Sequence, residues 1–574
     1  MTSYEFSRAR SMWGYSHAGF IDSRSLVRLN RVMTENTSYD SIIIGSGINA
    51  LVAGAVLAKS GWKVLICERN DQPGGAIRTS TTATLPGYTH ELLSSWHPLF
   101  VGGPAYAELK DDLERRGLEY KNTTTPTGVV CNDGSAILST DPAATAQEME
   151  RLGDGANWSQ MMQDFGGKID LAFGVLGADF WRTTSLNLAK TARKRLGTRG
   201  LIAQGAEMLE PAAPWLDRTF NSEVTKSLLA PWALHNGLGP DDASSAFITK
   251  VIGAAIAFGG MPIPVGGGIK LVEALSGIIT DVGGKILTHA EVAKVNTVRA
   301  KATGVTLSDG RTFAANKSVI ASVTPQALYQ KLIAHETVPA EVSASAKAYR
   351  YGRSAIQIHL ALSEPPQWKA DPRLKDVAIV HIVDSMNSLS ESVNAANRGY
   401  LPKRPTIVVG QPTTMDPSRA PAGASILWIQ LQENPRVIKG DLADEIDPGD
   451  GTWNEERLNK YADRVLAQIA EQIPNLYSAI KAKVVLGPRE IEAMNANLVG
   501  GDPYAGDCRV DQYAPWRPLS AATGHKTPVE NLWHIGASTH PGPGLGGGSG
   551  YLVAKRLTTP TKLEQLKERV KGKK

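Results

Sequence analysis

Residues 42–44 are three consecutive isoleucines, an unbroken β-branched run of the kind found in a parallel strand buried on both faces. The glycine-containing text GSGINA follows them, then small and apolar residues to Lys59 at helical spacing, with Gly61 as a left-handed cap. Lys63 to Cys67 returns to a strand pattern. Residues 41–75 therefore predict a strand, turn, helix and strand in succession. Helical spacing recurs from about 105 to 250, in DLERRGLEY, ANWSQMMQDF and EVTKSLLAPWALH. GGGIKLVEALS (266–276) reads as a glycine turn entering a helix. From 285 to 323 strands and turns alternate in KILTHAEVAKV, KATGVTLSDG and KSVIASV, which predicts a small antiparallel sheet and one more parallel strand. Between 326 and 500, RSAIQIHLALS and PTIVVG are predicted strands and NEERLNKYADRVLAQIAEQI a long helix. The last strand and helix fall between Asn531 and Leu557, and LEQLKERVKGKK ends the chain as a solvated basic helix.

Composition narrows the classes. At 574 residues and 42% hydrophobic content the chain has ample core. Cys67, Cys131 and Cys508 are far apart and form no CxxC, which argues against disulfide scaffolding, thiol redox chemistry and cysteine zinc sites. Net charge is +5 with no basic stripe interleaved with aromatics, so nucleic acid is not an expected partner. No segment reaches the roughly 18 to 20 apolar residues needed to span a bilayer. VIGAAIAFGGMPIPV (251–265) reads as buried core or the wall of an apolar pocket. The basic run KTARKRLGTR (190–199) after LAFGVLGADFW reads as a solvated loop behind a core helix, with a patch on anionic lipid as the alternative. A cytoplasmic location follows, with peripheral membrane contact kept open. Residues 1–32 read as a disordered or spurious extension, or as an organellar targeting segment.

Residues 41–75 carry chemistry as well as pattern. Gly45 allows a sharp turn, Gly47 leaves room for a pyrophosphate, and Ala50 and Gly54 are small enough for the helix to pack closely on the strand. The free N–H groups and positive dipole end of that helix then face the phosphates. Glu68 lies 23 residues past Gly45, where an acid accepts hydrogen bonds from both hydroxyls of a ribose. In the C-terminal stretch, Gly542, Gly544 and Gly547 match the same spacing, but no strand and acid follow to complete a second dinucleotide fold. That loop suits another ligand group, such as the pyrimidine edge of a flavin. GxSxG, HExxH and GxxxxGK[ST] motifs are all lacking.

Together GSGINA with Glu68, the doublet QPGGAIRT, and NLWHIGASTHPGPGLGGGSGY resemble the FAD-dependent phytoene dehydrogenase-related oxidoreductases of the flavin amine-oxidase superfamily. YRYGR, DPSRAPAG and NLVGGD extend the resemblance through the centre of the chain. It implies an α/β fold, with a Rossmann-like FAD-binding domain on a parallel sheet and an inserted α+β substrate domain. The FAD-binding domain would comprise residues 38–104, 261–325 and 501–558. The substrate domain would comprise 105–260, mainly helical, and 326–500, with 1–37 an N-terminal extension and 559–574 a basic tail. Carried over by position, Gly45, Ser46, Gly47, Asn49 and Ala50 would hold the pyrophosphate, and Glu68 with Arg69 the adenosine ribose. Gly74, Gly75 and Arg78 would meet the phosphates and ribityl chain. Val292 would bracket adenine, and Gly536, Ala537, Leu545 and Gly546 would lie along the flavin. The family pattern has an arginine directly after the doublet; this chain has Ala76 there, and Arg78 stands in for it.

The implied activity is dehydrogenation of an apolar, carotenoid- or isoprenoid-like substrate by hydride transfer to flavin N5, with oxygen or a quinone as acceptor. Two alternatives stay open: oxidation of an amine, alcohol or aromatic side chain, for which Trp96, Trp516 or Tyr551 could supply an aromatic cage, and a non-catalytic escort protein on the same fold. His540 and His90 are the candidate acid–base residues, with Glu91 beside the latter. His97 and His534 read as structural.

Overall fold

The computed structural model describes residues 38–180 and 183–559. The expectations for the N-terminal extension and for the basic C-terminal helix lie outside the described residues.

Two seven-stranded sheets organise these residues. In the first, Ser38–Ile44 runs parallel between Val64–Cys67 and Thr312–Ala321, and Lys285–Leu287 continues the parallel order beyond Val64–Cys67. The far end of Thr312–Ala321 pairs in parallel with Leu532–His534, and its near end turns antiparallel to Lys301–Leu307 and through it to Val292–Val298. Ile43 packs with the helices Ile48–Lys59 and Ile269–Thr280, while Ile42 and Ile44 pack with Val305, Leu328 and Tyr329 on the opposite face. Cover on both faces is why this strand carries no polar alternation. Gly54 sets how closely the first helix lies: a Cβ there would come within 2.9 Å of Ile279 and 3.1 Å of Ile66.

The second sheet runs in the order Ile480–Leu486, Ser354–Leu362, Ser425–Asn434, Ile407–Gly410, Ile379–Ile382, Thr127–Cys131 and Gly134–Leu138. It is antiparallel except where Ile379–Ile382 meets Thr127–Cys131. One face packs on the helix Glu455–Gln472, started by Asn454, whose Oδ1 accepts from Arg457 N at 2.9 Å. The other face meets a helical layer that includes Ser245–Gly259.

Two local expectations change. The hairpin Thr127–Cys131 and Gly134–Leu138 lies inside the stretch read as mainly helical. Its turn, Asn132-Asp133-Gly134, is itself a hairpin signal, but strands of five residues give too short an alternation to stand out against helical neighbours. The run 190–199 is not a loop: it belongs to the helix Thr183–Leu209, interrupted at Gly197 (φ 69°). Lys, Arg, Ala and Leu all favour helix, and Arg195 pairs with Asp170 at 2.9 Å. Among the described residues no helix is long and apolar enough to cross a membrane.

Candidate active site

The first strand ends at Gly45 (φ +85°), and the helix after it begins at Ile48 with no side-chain cap and no acid in its first turn. Its leading N–H groups are therefore left for an external anion. A Cβ on Gly47 would meet nothing within 4 Å, so open space faces this residue. The doublet closes the other side. Gly74 (φ +128°) forms a bridge with Gly47, and a Cβ on Gly75 would lie 2.8 Å from the Gly47 Cα. Only glycine permits both the left-handed backbone and this approach. Glu68 is buried at the end of its strand; its Oε2 accepts from Ser46 N at 2.9 Å and Ser46 Oγ at 2.5 Å, and its Oε1 from Asn70 N at 2.9 Å.

The C-terminal loop reaches the same cleft. Asn49 Oδ1 accepts from Ser549 Oγ at 2.9 Å, and Ser549 Oγ in turn accepts from Gly536 N at 2.9 Å, tying the first helix to the helix Gly548–Thr558. Ala537 O accepts from the fully buried Arg517 at 3.0 Å. Gly47, Asn49, Gly536, Ala537 and Leu545 line a cleft of about 100 Å³. Five other residues named from the sequence stand elsewhere, of which Ala50 is fully buried in the core with Ile43. Gly546 lies near Leu99, whose carbonyl oxygen a Cβ would approach to 3.4 Å, and Arg69 is exposed. Val292 is buried in its strand, and Arg78 turns to Met494 O at 3.5 Å and Asp71 at 3.8 Å, its buried Nε lacking a partner.

The sequence reading missed Asn495 and Asn497 in the cleft wall. Asn497 donates to Ser322 O at 3.0 Å and accepts from Thr324 N at 3.1 Å, so it holds the end of the central strand. It opens NLVGGD, a motif visible in the sequence without an assigned role.

Ala76, Leu498, Pro503, Gly544 and Leu545 are shared between this cleft and a larger cavity of about 250 Å³. The walls of that cavity come from the second sheet, at Ala355, Gln357, Ile379, Trp428, Gln430 and Gln432, and from the helices and loops packed on it. Trp96 and Trp428 meet there edge to face, centroids 5.4 Å apart, with Gly410 giving the space into which the Trp96 ring fits. Val251, Ile252, Ala255, Ile256 and Met261 supply the apolar wall expected of 251–265. Trp516 is exposed, and Tyr551 is bonded to Glu108 at 2.8 Å, so of the three aromatic candidates Trp96 alone lines the cavity. No Asp or Glu is among the described residues lining it.

The cavity's histidines are His97 and His235, which the sequence reading did not place there. Burial holds both far below the usual imidazole range, at about 3, with the Arg419 charge adding to the effect on His97. His97 Nδ1 lies 2.9 Å from Tyr120 OH, and His235 Nε2 lies 3.0 Å from His381 Nε2. The two candidates named from the sequence are outside both the cleft and the cavity. His540 packs edge to face on Phe180, centroids 4.6 Å apart. His90 lies 2.7 Å from Thr84 Oγ1 and against His359, and burial first and Arg419 second hold it at about 4. Its neighbour Glu91 is buried, accepting from Gly268 N at 2.7 Å and Thr79 Oγ1 at 2.8 Å.

A capless helix start, a glycine cradle and a buried carboxylate beside it fit the pyrophosphate and ribose of a dinucleotide, and the adjoining apolar cavity defines a flavoprotein oxidoreductase. The model for flavin-containing amine oxidoreductases matches residues 51–434, and the chain belongs to that family; its cofactor is FAD. It is 26% identical over 556 residues to pyridine nucleotide-disulfide oxidoreductase domain-containing protein 2 of Mus musculus, spanning 90% of this chain and 92% of that protein. With the lycopene-forming phytoene desaturase of Paracoccus sp. it shares 30% identity over 532 residues, 88% of this chain and 94% of that one. Among solved structures, cyclohexylamine oxidase from Brevibacterium oxydans matches with a TM-score of 0.55 at 15% identity, covering 91% of this chain and 99% of that one, which speaks for the fold. The family resemblance carried by the terminal motifs is thus borne out.

Proposed function

We propose that this oxidoreductase desaturates an apolar, isoprenoid-like substrate in the cavity behind Trp96 and passes the electrons to oxygen or a quinone. The observation that carries the reading is the shared wall: an apolar cavity, with no carboxylate among the described residues lining it, shares Ala76, Leu498, Pro503, Gly544 and Leu545 with the glycine cleft. Bound FAD supplies the hydride acceptor. In this reading Gly45, Ser46, Gly47 and the first helical turn hold its pyrophosphate, Glu68 exchanges its bonds to Ser46 for the ribose hydroxyls, and Gly536, Ala537 and Leu545 flank the ring. The tryptophans and the 251–265 wall orient an apolar molecule and exclude water. His97 and His235 stay neutral at pH 7 and offer no charge to the substrate. That suits a hydrocarbon, whose burial needs no counter-ion. The Paracoccus relative's name supports the isoprenoid class.

Oxidation of an amine, alcohol or aromatic side chain is the second reading, favoured by the perpendicular Trp96–Trp428 corner. Anaerobic mixing of the FAD-loaded protein with an isoprenoid polyene, simple amines and aromatic alcohols separates the two. Flavin bleaching by the polyene is the expected result. Bleaching by an amine or alcohol alone would replace the first reading with the second.

A further inference from the structure

Away from the cleft and the cavity, and sharing no lining residue with either, lies an open pocket of about 290 Å³ with a strongly one-sided charge. Arg353, Arg398, Arg436, Lys439 and Arg509 line it, against a single carboxylate, Asp507. That carboxylate is already engaged: Arg509 Nε lies 2.8 Å from its Oδ2, and Arg350 Nε approaches to 3.5 Å. Among the described residues no ion pair joins Arg353, Arg398, Arg436 or Lys439 to any carboxylate. Four cations from three separate segments thus converge without an ion pair, the buried Glu433 carboxyl acting on Arg353, and their mutual repulsion is a Coulombic cost that an anion would relieve.

The cations are held in place by their surroundings. Arg353 donates to Asn397 Oδ1 at 3.2 Å and Gly237 O at 3.1 Å, which fixes its guanidinium between a helix end and a turn. The Arg436 guanidinium stacks over Tyr351 at 5.4 Å, and its Nε lies where a Cβ on Gly500 (φ 62°) would stand 2.5 Å away. Lys439 lies along Gly399 (φ 96°), where a Cβ would come within 2.8 Å of its Cδ. Two left-handed glycines therefore let two long basic side chains lie flat against backbone and point along the pocket.

We propose that this pocket is a second anion site, for a ligand bearing a diphosphate group. Three guanidinium groups and an ammonium lining one pocket match adjoining phosphates better than a single carboxylate, which would leave cations unpaired. The headgroup could come from a nucleoside diphosphate or an isoprenoid diphosphate, which share it. Calorimetric titration of the FAD-loaded protein with inorganic pyrophosphate tests the site. The expected result is one site per chain, weakening as salt is raised. Arg436→Gln combined with Lys439→Gln, both exposed side chains, should weaken binding at least about tenfold while flavin absorbance is kept. Lys481→Gln, a basic residue elsewhere on the surface, should leave affinity unchanged. Parallel titrations with ADP and geranyl diphosphate identify the source: the tighter of the two names it, and equal affinity assigns recognition to the headgroup alone. No binding of pyrophosphate, ADP or geranyl diphosphate, or equal affinity in the double variant with flavin retained, would overturn the proposal.

Discussion

Gly47 and Glu68 show how little side chain a cofactor cleft needs. The space in front of Gly47 is open in the fold itself, so packing does not require a glycine there, whereas the proposed pyrophosphate would. Gly47→Val is accordingly expected to leave apoprotein stability within about 1 kcal/mol while reducing FAD occupancy at least about tenfold. Thermal unfolding and flavin content of the purified variant check this, and a variant that keeps its FAD would refute the placement of the pyrophosphate. His540 leads to the opposite expectation. Its ring rests on Phe180 and lines neither the cleft nor the cavity, so His540→Ala should reduce its flavin at the wild-type rate in anaerobic stopped flow. A drop of about a hundredfold would restore it as a proton acceptor.

At the scale of elements, the site depends on joints that are polar and buried. Arg419 is fully buried; its Nε donates to Asp416 at 3.1 Å, its Nη2 to Pro264 O at 2.6 Å, and its Nη1 lies 3.6 Å from Glu91. Asp416 accepts from Gly266 N at 2.8 Å and Glu91 from Gly268 N, so one guanidinium joins the Thr79–Glu91 hairpin, the glycine turn before Ile269–Thr280 and the 416–419 turn. Burial raises the Glu91 carboxyl and Arg419 draws it back. Arg419→Met keeps the volume but leaves two carboxylates without their cation, which should cost about 3 to 5 kcal/mol. Urea unfolding measures it, and a loss below about 1 kcal/mol would mean that the hairpin is held by packing alone. DPSRAPAG contains both Asp416 and Arg419, yet nothing in its spacing says that their partners lie some 150 and 330 residues back.

Across the whole molecule, most of the described histidines are buried, His289 and His335 being the exposed ones. His90 and His534 are lowered to about 4, and His97, His235 and His359 to about 3, in each case chiefly by burial. In the unfolded chain each would titrate near 6.5. As pH falls below that value the unfolded state takes up protons that the folded state refuses, so stability is present above about 6.5 and is lost progressively toward about 4. Glu433, raised by burial to about 7, acts in the opposite sense between about 4.5 and 7, and Glu91 and Asp502 share its direction. With His381 and His525 also lowered by burial, seven histidines outweigh these three, and the urea midpoint should be lower at pH 5 than at pH 7.5. An equal or higher midpoint at pH 5 would show that the carboxylates dominate.

What the sequence by itself determined is local. The isoleucine run, the GSGINA turn, the helix to Lys59 and Glu68 lie within 27 residues, and short-range sterics and hydrogen bonding suffice to shape them. The helix capped by Asn454 and the strands Ser354–Leu362 and Ile407–Gly410 were legible for the same reason. The apolar cavity was decided only by tertiary structure. Trp96, Trp232, His235, Trp428 and Tyr504 are spread over more than 400 residues, and each is an ordinary apolar or aromatic position in its own element. Packing of the helical layer and the segment around Trp96 on the second sheet brings them to one wall, which neither His90 nor His540 lines. The basic pocket has the same origin, since its cations come from segments that meet only when the second sheet closes. Periodicity reports which face of an element is buried; which faces meet depends on how the layers stack, and no single stretch of sequence encodes that.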